Sequence, residues 1–546
     1  MFSSSGLKTQ GEAPAPAQEN RHKNAAQRTR QTHKSADNRR IAKNAVALYL
    51  RMFVTMGVAL YASRVVLQTL GETDYGIYSV VGGVVAMFGF LNGAMTSATQ
   101  RYLNVGIAQG DAARLKDTFR TAAQVHIIIA LLVLVFSETV GLWFVTSKLV
   151  LPAERMGATL WVFQFAVASA MLGIATLPFS AAIIAHERMS VFAYISMGDA
   201  ALKLGIVYLL AMAPMDKLVF YSAALCLVSV FNFAVNIGYC RRCFPEVGFS
   251  FRADGPLLRE MSAFAGWSLW GNVAGVMFTQ GVNILLNLFF GPGVNAARGI
   301  AVQVQGAISG FAGNVQTALN PQITKSYAVG DLRRMHALMF ASSKFCFSLL
   351  LLMLLPLALE ADYVLGLWLG AVPAHTSAFV RLLAFVMLVE TLANPYMIAN
   401  QATGRVRLYQ SVCGGLLLCI VPLSWLALKL GGSPESVYVV HCSIAVVTQL
   451  LRVTLMRRLI DLPLSQYLRR VALPVCSTLA ASAVAPTIVW ASMGEGVARF
   501  LAVCAVGAVS VALSSYALGA NSFERAMMKD AARAAWAKIG QHLHHH

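Results

Sequence analysis

Charge is scarce in this sequence. Asp, Glu, Lys and Arg make up 12% of 546 residues, about half the quarter usual in soluble domains. That shortage excludes an ordinary soluble enzyme, a coiled coil and a disordered chain. The usual catalytic signatures are missing as well. There is no Walker A loop, no G-x-S-x-G elbow and no H-E-x-x-H helix, so neither enzymatic activity nor a cofactor is expected. The nine cysteines sit mostly inside apolar runs, where a free thiol behaves as a small hydrophobe. Cys240-Arg241-Arg242-Cys243 has C-x-x-C spacing, but no second pair or nearby His completes a metal site. Residues 1–43 contain no apolar run, so no cleavable signal peptide is expected there.

Apolar residues are abundant instead. They make up 57% of the chain, and the mean hydropathy is +0.62. A spanning helix needs about 20 apolar residues, and the pattern predicts an all-α polytopic membrane protein. Helices are expected near 44–68, 76–100, 120–145, 157–185, 190–213, 217–240, 262–290, 295–323, 338–360, 376–400, 407–430, 435–458, 468–491 and 497–519, about 14 in all. Residues 1–43 carry nine Lys/Arg and few large apolar side chains, the composition of a disordered basic tail. Residues 521–546 read as an amphipathic helix and tail. Ser522 can cap that helix, and Phe523, Met527, Ala531, Ala535 and Ile539 recur at every fourth position.

Basic residues outnumber acidic ones, 43 to 24, and their placement is informative. With the N-terminus inside, the inner segments hold 32 Lys/Arg and the outer segments 6. The alternation is unbroken along the chain. It predicts both termini on the cytoplasmic side and makes nucleic acid an unneeded partner for the positive charge.

The sequence also repeats weakly. At an offset of 220 residues, Gly71 meets Gly291, Gly93 meets Gly313, Gly110-Asp111 meets Gly330-Asp331, and Arg114 meets Arg334. At an offset of 217, Pro178 meets Pro395 and Arg188 meets Arg405. Both offsets span about six helices. The expected organisation is an N-lobe at 44–240, a cytoplasmic linker at 241–261 and a C-lobe at 262–458. Two further helices follow at 459–520. An even number of spans per unit gives the lobes the same orientation, related by an axis along the membrane normal. A substrate cavity is expected between them.

Several segments carry a family resemblance. Ser63-Arg64-Val65-Val66-Leu67, Asp74-Tyr75-Gly76-Ile77-Tyr78 and Val80-Val81-Gly82-Gly83-Val84-Val85 resemble the opening of bacterial polysaccharide flippases. So do Ala185-His186-Glu187-Arg188-Met189, Asn295-Ala296-Ala297-Arg298-Gly299-Ile300-Ala301, Asn320-Pro321-Gln322-Ile323 and Gln401-Ala402-Thr403-Gly404. These are Wzx-like O-antigen and exopolysaccharide translocases, of the superfamily that includes MATE multidrug exporters and peptidoglycan-precursor flippases. The resemblance covers about residues 41–470. It implies a bacterial inner-membrane protein of polysaccharide or lipopolysaccharide biosynthesis. Its substrate would be a polyprenyl-pyrophosphate-linked oligosaccharide, moved outward by alternating access with H+ or Na+ coupling. Membrane lipids and the polysaccharide polymerase machinery would be its partners.

Such a substrate needs a polar, cationic path. Ionisable residues inside spans are the candidates, because each costs about 2.5–3.5 kcal/mol at a helix centre. Arg51, Arg64 and Arg298 are expected to meet the pyrophosphate, with Arg298 close to a helix N-terminus. The amides Asn272, Gln280, Asn283 and Gln303 suit sugar hydroxyls, although interhelical bonding uses the same residues. Glu138, Asp199, Lys203 and Glu390 are the ion-coupling candidates, Asp199 and Lys203 being spaced for an i,i+4 pair. Pro178 and Pro395 are candidate hinges. The alternatives are a MATE-type ion-coupled exporter of drugs or metabolites and a membrane-embedded polymerase or glycosyltransferase. Short outer loops weigh against the last.

Overall fold

In a computed structural model the chain is described at residues 53–87, 99, 102–103, 107, 111–186, 188–248, 255–403, 405–521 and 524–525. The basic tail, Arg51 and most of the C-terminal amphipathic segment lie outside these residues. Every regular element among them is helical. In chain order the helices are α1 (Phe53–Met87), α2 (Ala112–Ser147), α3 (Met156–Ala185), α4 (Met189–Ala211) and α5 (Lys217–Cys243). They continue as α6 (Gly255–Phe290), α7 (Pro292–Ala328), α8 (Leu332–Leu359), α9 (Ala361–Leu369) and α10 (Thr376–Thr391). The last are α11 (Asn394–Thr403), α12 (Val406–Lys429), α13 (Ser436–Ile460), α14 (Leu464–Ser492) and α15 (Val497–Gly519).

Twelve helical stretches among the described residues are long and apolar enough to cross a membrane. Two features connect that number to the expected fourteen. The stretch 53–87 is divided by Gly71, whose φ is +79°, and Ala59 and Gly83, on either side of it, face residues at similar depth in α6 and α7. The chain therefore doubles back at Gly71, and two spans are counted as one. The other feature is α7. At 37 residues it is about 55 Å long, but its many amides and glycines make it too polar to register by hydropathy.

The two halves use equivalent turns. Gly71 and Gly291 share left-handed φ values of +79° and +78°, where a Cβ would be strained. Asp111 and Asp331 each cap the next helix, their Oδ1 atoms accepting from the backbone N–H of Arg114 and Arg334 at 3.0 Å. Capping oxygens satisfy donors that the first helical turn leaves free. The paired prolines differ: Pro178 lies inside an unbroken α3, whereas Pro395 follows a break between α10 and α11.

Separate apolar cores fill the first half, around Ile77, Val81 and Phe163 and around Phe119 and Ala182, and the second half, around Phe340, Leu351 and Tyr396. Another joins them, packing Val66, Leu67 and Tyr75 of α1 against Leu286, Ile300 and Leu365. The C-terminal helices dock on α8. Arg499 donates twice to Glu360 at 2.8 Å, and the Glu360 side chain is fully buried. Lys344 Nζ reaches the Gly519 carbonyl at 3.0 Å and Glu524 at 2.5 Å. Asn521 caps the helical turn at Glu524; the expected cap Ser522 lies outside the described residues. The Asn521 Oδ1 accepts from the Glu524 N–H, and the Asn521 N–H donates to Glu524 Oε2, both at 2.8 Å, a reciprocal box.

A buried acid stripped of its partner is worse than no acid at all. Arg499→Ala should therefore lower the melting temperature more than the double variant Arg499→Ala/Glu360→Gln. Equal melting temperatures would mean that Glu360 is not stranded when Arg499 is lost.

Candidate functional site

The polar candidates fall into two groups, separated by which helices hold them. The first group forms a seam between the halves, at the end of the bundle that carries the Gly71 and Gly291 turns. Gln303 on α7 donates to the Ala59 carbonyl of α1 at 2.6 Å. Asn283 on α6 donates to the Ser79 carbonyl at 3.2 Å and is itself held by Asn295, which donates to it at 2.7 and 2.8 Å. Gln280 and Asn283 both press on Gly83, where a Cβ would lie 2.7 and 2.4 Å from their amide heads. Arg64 reaches the Leu367 carbonyl at 3.4 Å, and its neighbour Gln68 donates to Leu369 at 2.6 Å. Trp368 completes the seam by donating to Leu60 at 2.7 Å. The acceptors are mostly backbone carbonyls of α1 and α9.

The second group lines a cavity of about 290 Å³ that lies within the second half and not between the halves. Its walls are α6, α7, α10, α12 and α13. The polar groups facing it are Thr279, Arg298, Gln305, Glu390, Tyr438 and His441. Arg298 is 6% exposed. Its Nη2 donates to the Thr279 carbonyl at 2.5 Å, so the guanidinium points at α6 and away from the start of its own helix. Arg298 Nε, the Tyr438 hydroxyl and His441 Nε2 are buried without hydrogen-bond partners. Glu390 lies across from His441, with 3.7 Å between Oε1 and Nε2. A buried guanidinium with an unused donor is costly, and a bound anion or water would satisfy it. The cavity is at the lower limit for small-molecule pockets. It has room for a phosphate-sized group.

Among the described residues, Arg64, Gln280, Asn283 and Gln303 lie along the junction between the halves, whereas Arg298 and Glu390 line the cavity within the second half. Arg298 and Glu390, assigned different roles from the sequence, share one chamber. His441 and Tyr438 were not singled out, because a lone His or Tyr in an apolar run looks like core; the clue was their i,i+3 spacing on one face of α13.

The other candidates stand apart. Asp199 and Lys203 form an intrahelical pair at 2.8 Å, and Asn232 of α5 donates to Asp199 at 2.5 Å. Glu138 lies on a wide turn of α2, a π-helical stretch from Ser137 to Gly141. Its Oε2 accepts from Gln164 at 3.1 Å, while Oε1 is buried without a partner. Arg51 and the side chain of Asn272 lie outside the described residues. Among the described residues no three His, Cys, Asp or Glu side chains are placed to hold a metal ion.

No family model and no curated protein matches this sequence. Solved structures do. The lipid II flippase MurJ in an inward closed conformation matches with a TM-score of 0.64 at 11% identity, over 87% of this chain and 98% of that one. An inward-facing multidrug resistance MATE family transporter of the MOP superfamily gives 0.57 at 14% identity, over 77% and 98%. A MOP superfamily transporter from Pyrococcus furiosus gives 0.53 at 14% identity, over 77% and 96%. This chain has the fold of MOP-superfamily transporters. At these identities the MOP fold is what is shared. The flippase structure accounts for more of this chain than the other two do, 87% against 77%.

Proposed function

We propose that this protein is a flippase of the bacterial inner membrane, with both termini in the cytoplasm. It moves a polyprenyl-pyrophosphate-linked oligosaccharide from the inner to the outer leaflet for polysaccharide or lipopolysaccharide assembly, as its Wzx-like segments imply. The carrying observation is the seam of amides and arginine between the halves. In the closed state Arg64, Asn283 and Gln303 are engaged in bonds across the junction, and Gln280 lies against Gly83. When the halves part, the same groups face a water-filled path and are free for sugar hydroxyls and phosphate oxygens. The likeness to a lipid II flippase supports a lipid-linked cargo, whose tail stays in the bilayer while the head crosses. Pro395, beside Glu390 at the break between α10 and α11, is the better placed hinge. Arg298 is assigned to the pyrophosphate, and the nearby Glu390–His441 pair to a coupling proton.

One observation favours a second reading. Glu390 shares its cavity with the rings of Phe278, Tyr438 and His441, a setting that also suits an organic cation. MATE-type export would use it. Reconstituted protein separates the two readings. A flippase should translocate a fluorescent polyprenyl-pyrophosphate glycan and ignore ethidium; uptake of ethidium with no glycan movement would favour the exporter.

Topology is tested by labelling. In a cysteine-free background, Thr73→Cys and Glu154→Cys should react from outside intact cells. Lys116→Cys and Arg333→Cys should react only after permeabilisation. Outside labelling of Arg333→Cys would overturn both the orientation and the parallel arrangement of the halves.

A further inference from the structure

The two halves carry equivalent straps built from different chemistry. Arg155 is the N-cap residue of α3 and Asp216 that of α5. They pair at 2.5 Å, and Arg155 also holds Asp74, beside the Gly71 turn, at 2.6 Å. In the second half the residues at N-cap are His375 on α10 and Glu435 on α13. They too are paired, His375 Nδ1 to Glu435 Oε1. The offsets are 220 and 219 residues, matching the repeat. Arginine is charged at every physiological pH. Histidine changes charge between about pH 5 and 8. One strap is permanent, and the other depends on a proton.

His375 is also conformationally marked. With φ at +69° it is one of two non-glycine residues in the left-handed region among the described residues, a conformation that needs support from its surroundings. Glu435 supplies that support. Burial pushes the Glu435 carboxyl up, but hydrogen bonds from Ser433 and His375 outweigh it and hold it below its ordinary range. Farther along α10, Arg381 pairs with Asp362 of α9 at 2.6 Å, and Lys429 ends α12, six residues before Glu435. Bonds from Ser377 and Arg381 keep Asp362 low as well, against the effect of burial.

The strap borders the Arg298 cavity. The His375 ring lies 6.2 Å from Phe379 and near-parallel to it, and Phe379 packs at 4.6 Å against Tyr438. Tyr438 lines the cavity together with Glu390 of α10 and His441 of α13. We propose that His375 and Glu435 form a proton-operated strap on the face of the Gly71 and Gly291 turns. A proton on His375 makes the bond charge-assisted, roughly twice as strong as a neutral one, and draws the starts of α10 and α13 together. Losing it loosens that end of the cavity wall. The strap is independent of what the protein carries.

Hydrogen exchange on the full-length protein in detergent, at pH 5.5 and 8 and corrected for intrinsic rates, tests this. Protection at the starts of α10 and α13 should fall about two- to five-fold from pH 5.5 to 8, the size expected for a half-exposed ion pair. The starts of α3 and α5 should not change. Hydrogen bonds from Arg155 and the helix backbone, against the effect of burial, hold the Asp216 carboxyl below its usual range. That contribution is lost only as pH falls below ordinary carboxylate values. Glu435→Gln should give the low protection at both pH values, and His375→Arg the high protection at both. Unchanged protection at α10 and α13 in the wild-type protein would overturn the proposal, as would a wild-type pH response in Glu435→Gln.

Discussion

Transport should fall at least tenfold in Arg298→Ala while folded protein persists in the membrane. The guanidinium is buried in a cavity, its Nε has no partner, and an unpartnered tyrosine hydroxyl lines the same cavity. Hydrogen bonds to a charged group contribute about 1.5–3 kcal/mol each, and two bonds to phosphate oxygens would reach a hundredfold. Arg298→Lys keeps the charge and loses the fork, so it should retain part of the activity. Arg298→Glu should be the most damaged, because it sets a second carboxylate beside Glu390. The same series at Arg51 tests the companion contact. A purely structural Arg298, tied only to the Thr279 carbonyl, gives a different pattern. Lysine would then serve as well as arginine, and alanine would lower the amount of folded protein with no change in transport per molecule. Wild-type transport per folded molecule in Arg298→Ala would remove it from the path and leave the amide seam as the site.

Gly76→Val should hold the two halves apart at their turn end. A Cβ at residue 76 would sit 1.9 Å from the carbonyl oxygen of Pro292. That contact is backbone on backbone, so no side chain can swing away to relieve it. The closed state should lose by several kcal/mol, enough to reverse a two-state population. The readout is labelling of a cysteine at Ser79, which lies under the seam and packs on Gly299. Labelling should rise tenfold or more over the Gly76 parent, and transport should stop with the halves trapped open. Gly82→Val is the control, because a Cβ there meets nothing within 4 Å. Unchanged labelling in Gly76→Val would mean that the turn yields locally and the closure does not depend on this contact.

The proton strap and the seam belong to the same face of the molecule, and their tests are separable. Gly76→Val acts on the junction between the halves, whereas His375 acts inside the second half. A variant that opens the seam should leave the pH response of α10 and α13 in place.

Much of the architecture could be read from one dimension. Apolar runs long enough to cross a bilayer leave a chain little choice but helix, since each backbone polar group must find its partner within the span. The expected segment 497–519 coincides with α15, and 217–240 lies within α5. The glycine and aspartate echoes at an offset of 220 were visible because positive φ and helix capping each restrict the residue type. Gly71 with Gly291, and Asp111 with Asp331, duly share their geometry. The span count was harder. A polar span such as α7 falls short on mean hydropathy, although the apolar pattern places a helix at 295–323.

What the residues alone determined, then, is the helical membrane class, the turns and caps that punctuate it, and a short set of costly polar groups inside the spans. Which of those groups meet was decided by tertiary packing. Helical periodicity fixes the face a side chain occupies on its own helix but not the neighbour that face will touch. Arg298 and Glu390 are 92 residues apart and share a chamber only because α7 and α10 pack together. Gln303 finds the Ala59 carbonyl across 244 residues for the same reason, through the approach of α1 to α7. His375 and Glu435 are 60 residues apart and meet only in the folded chain, where the first half places Arg155 and Asp216.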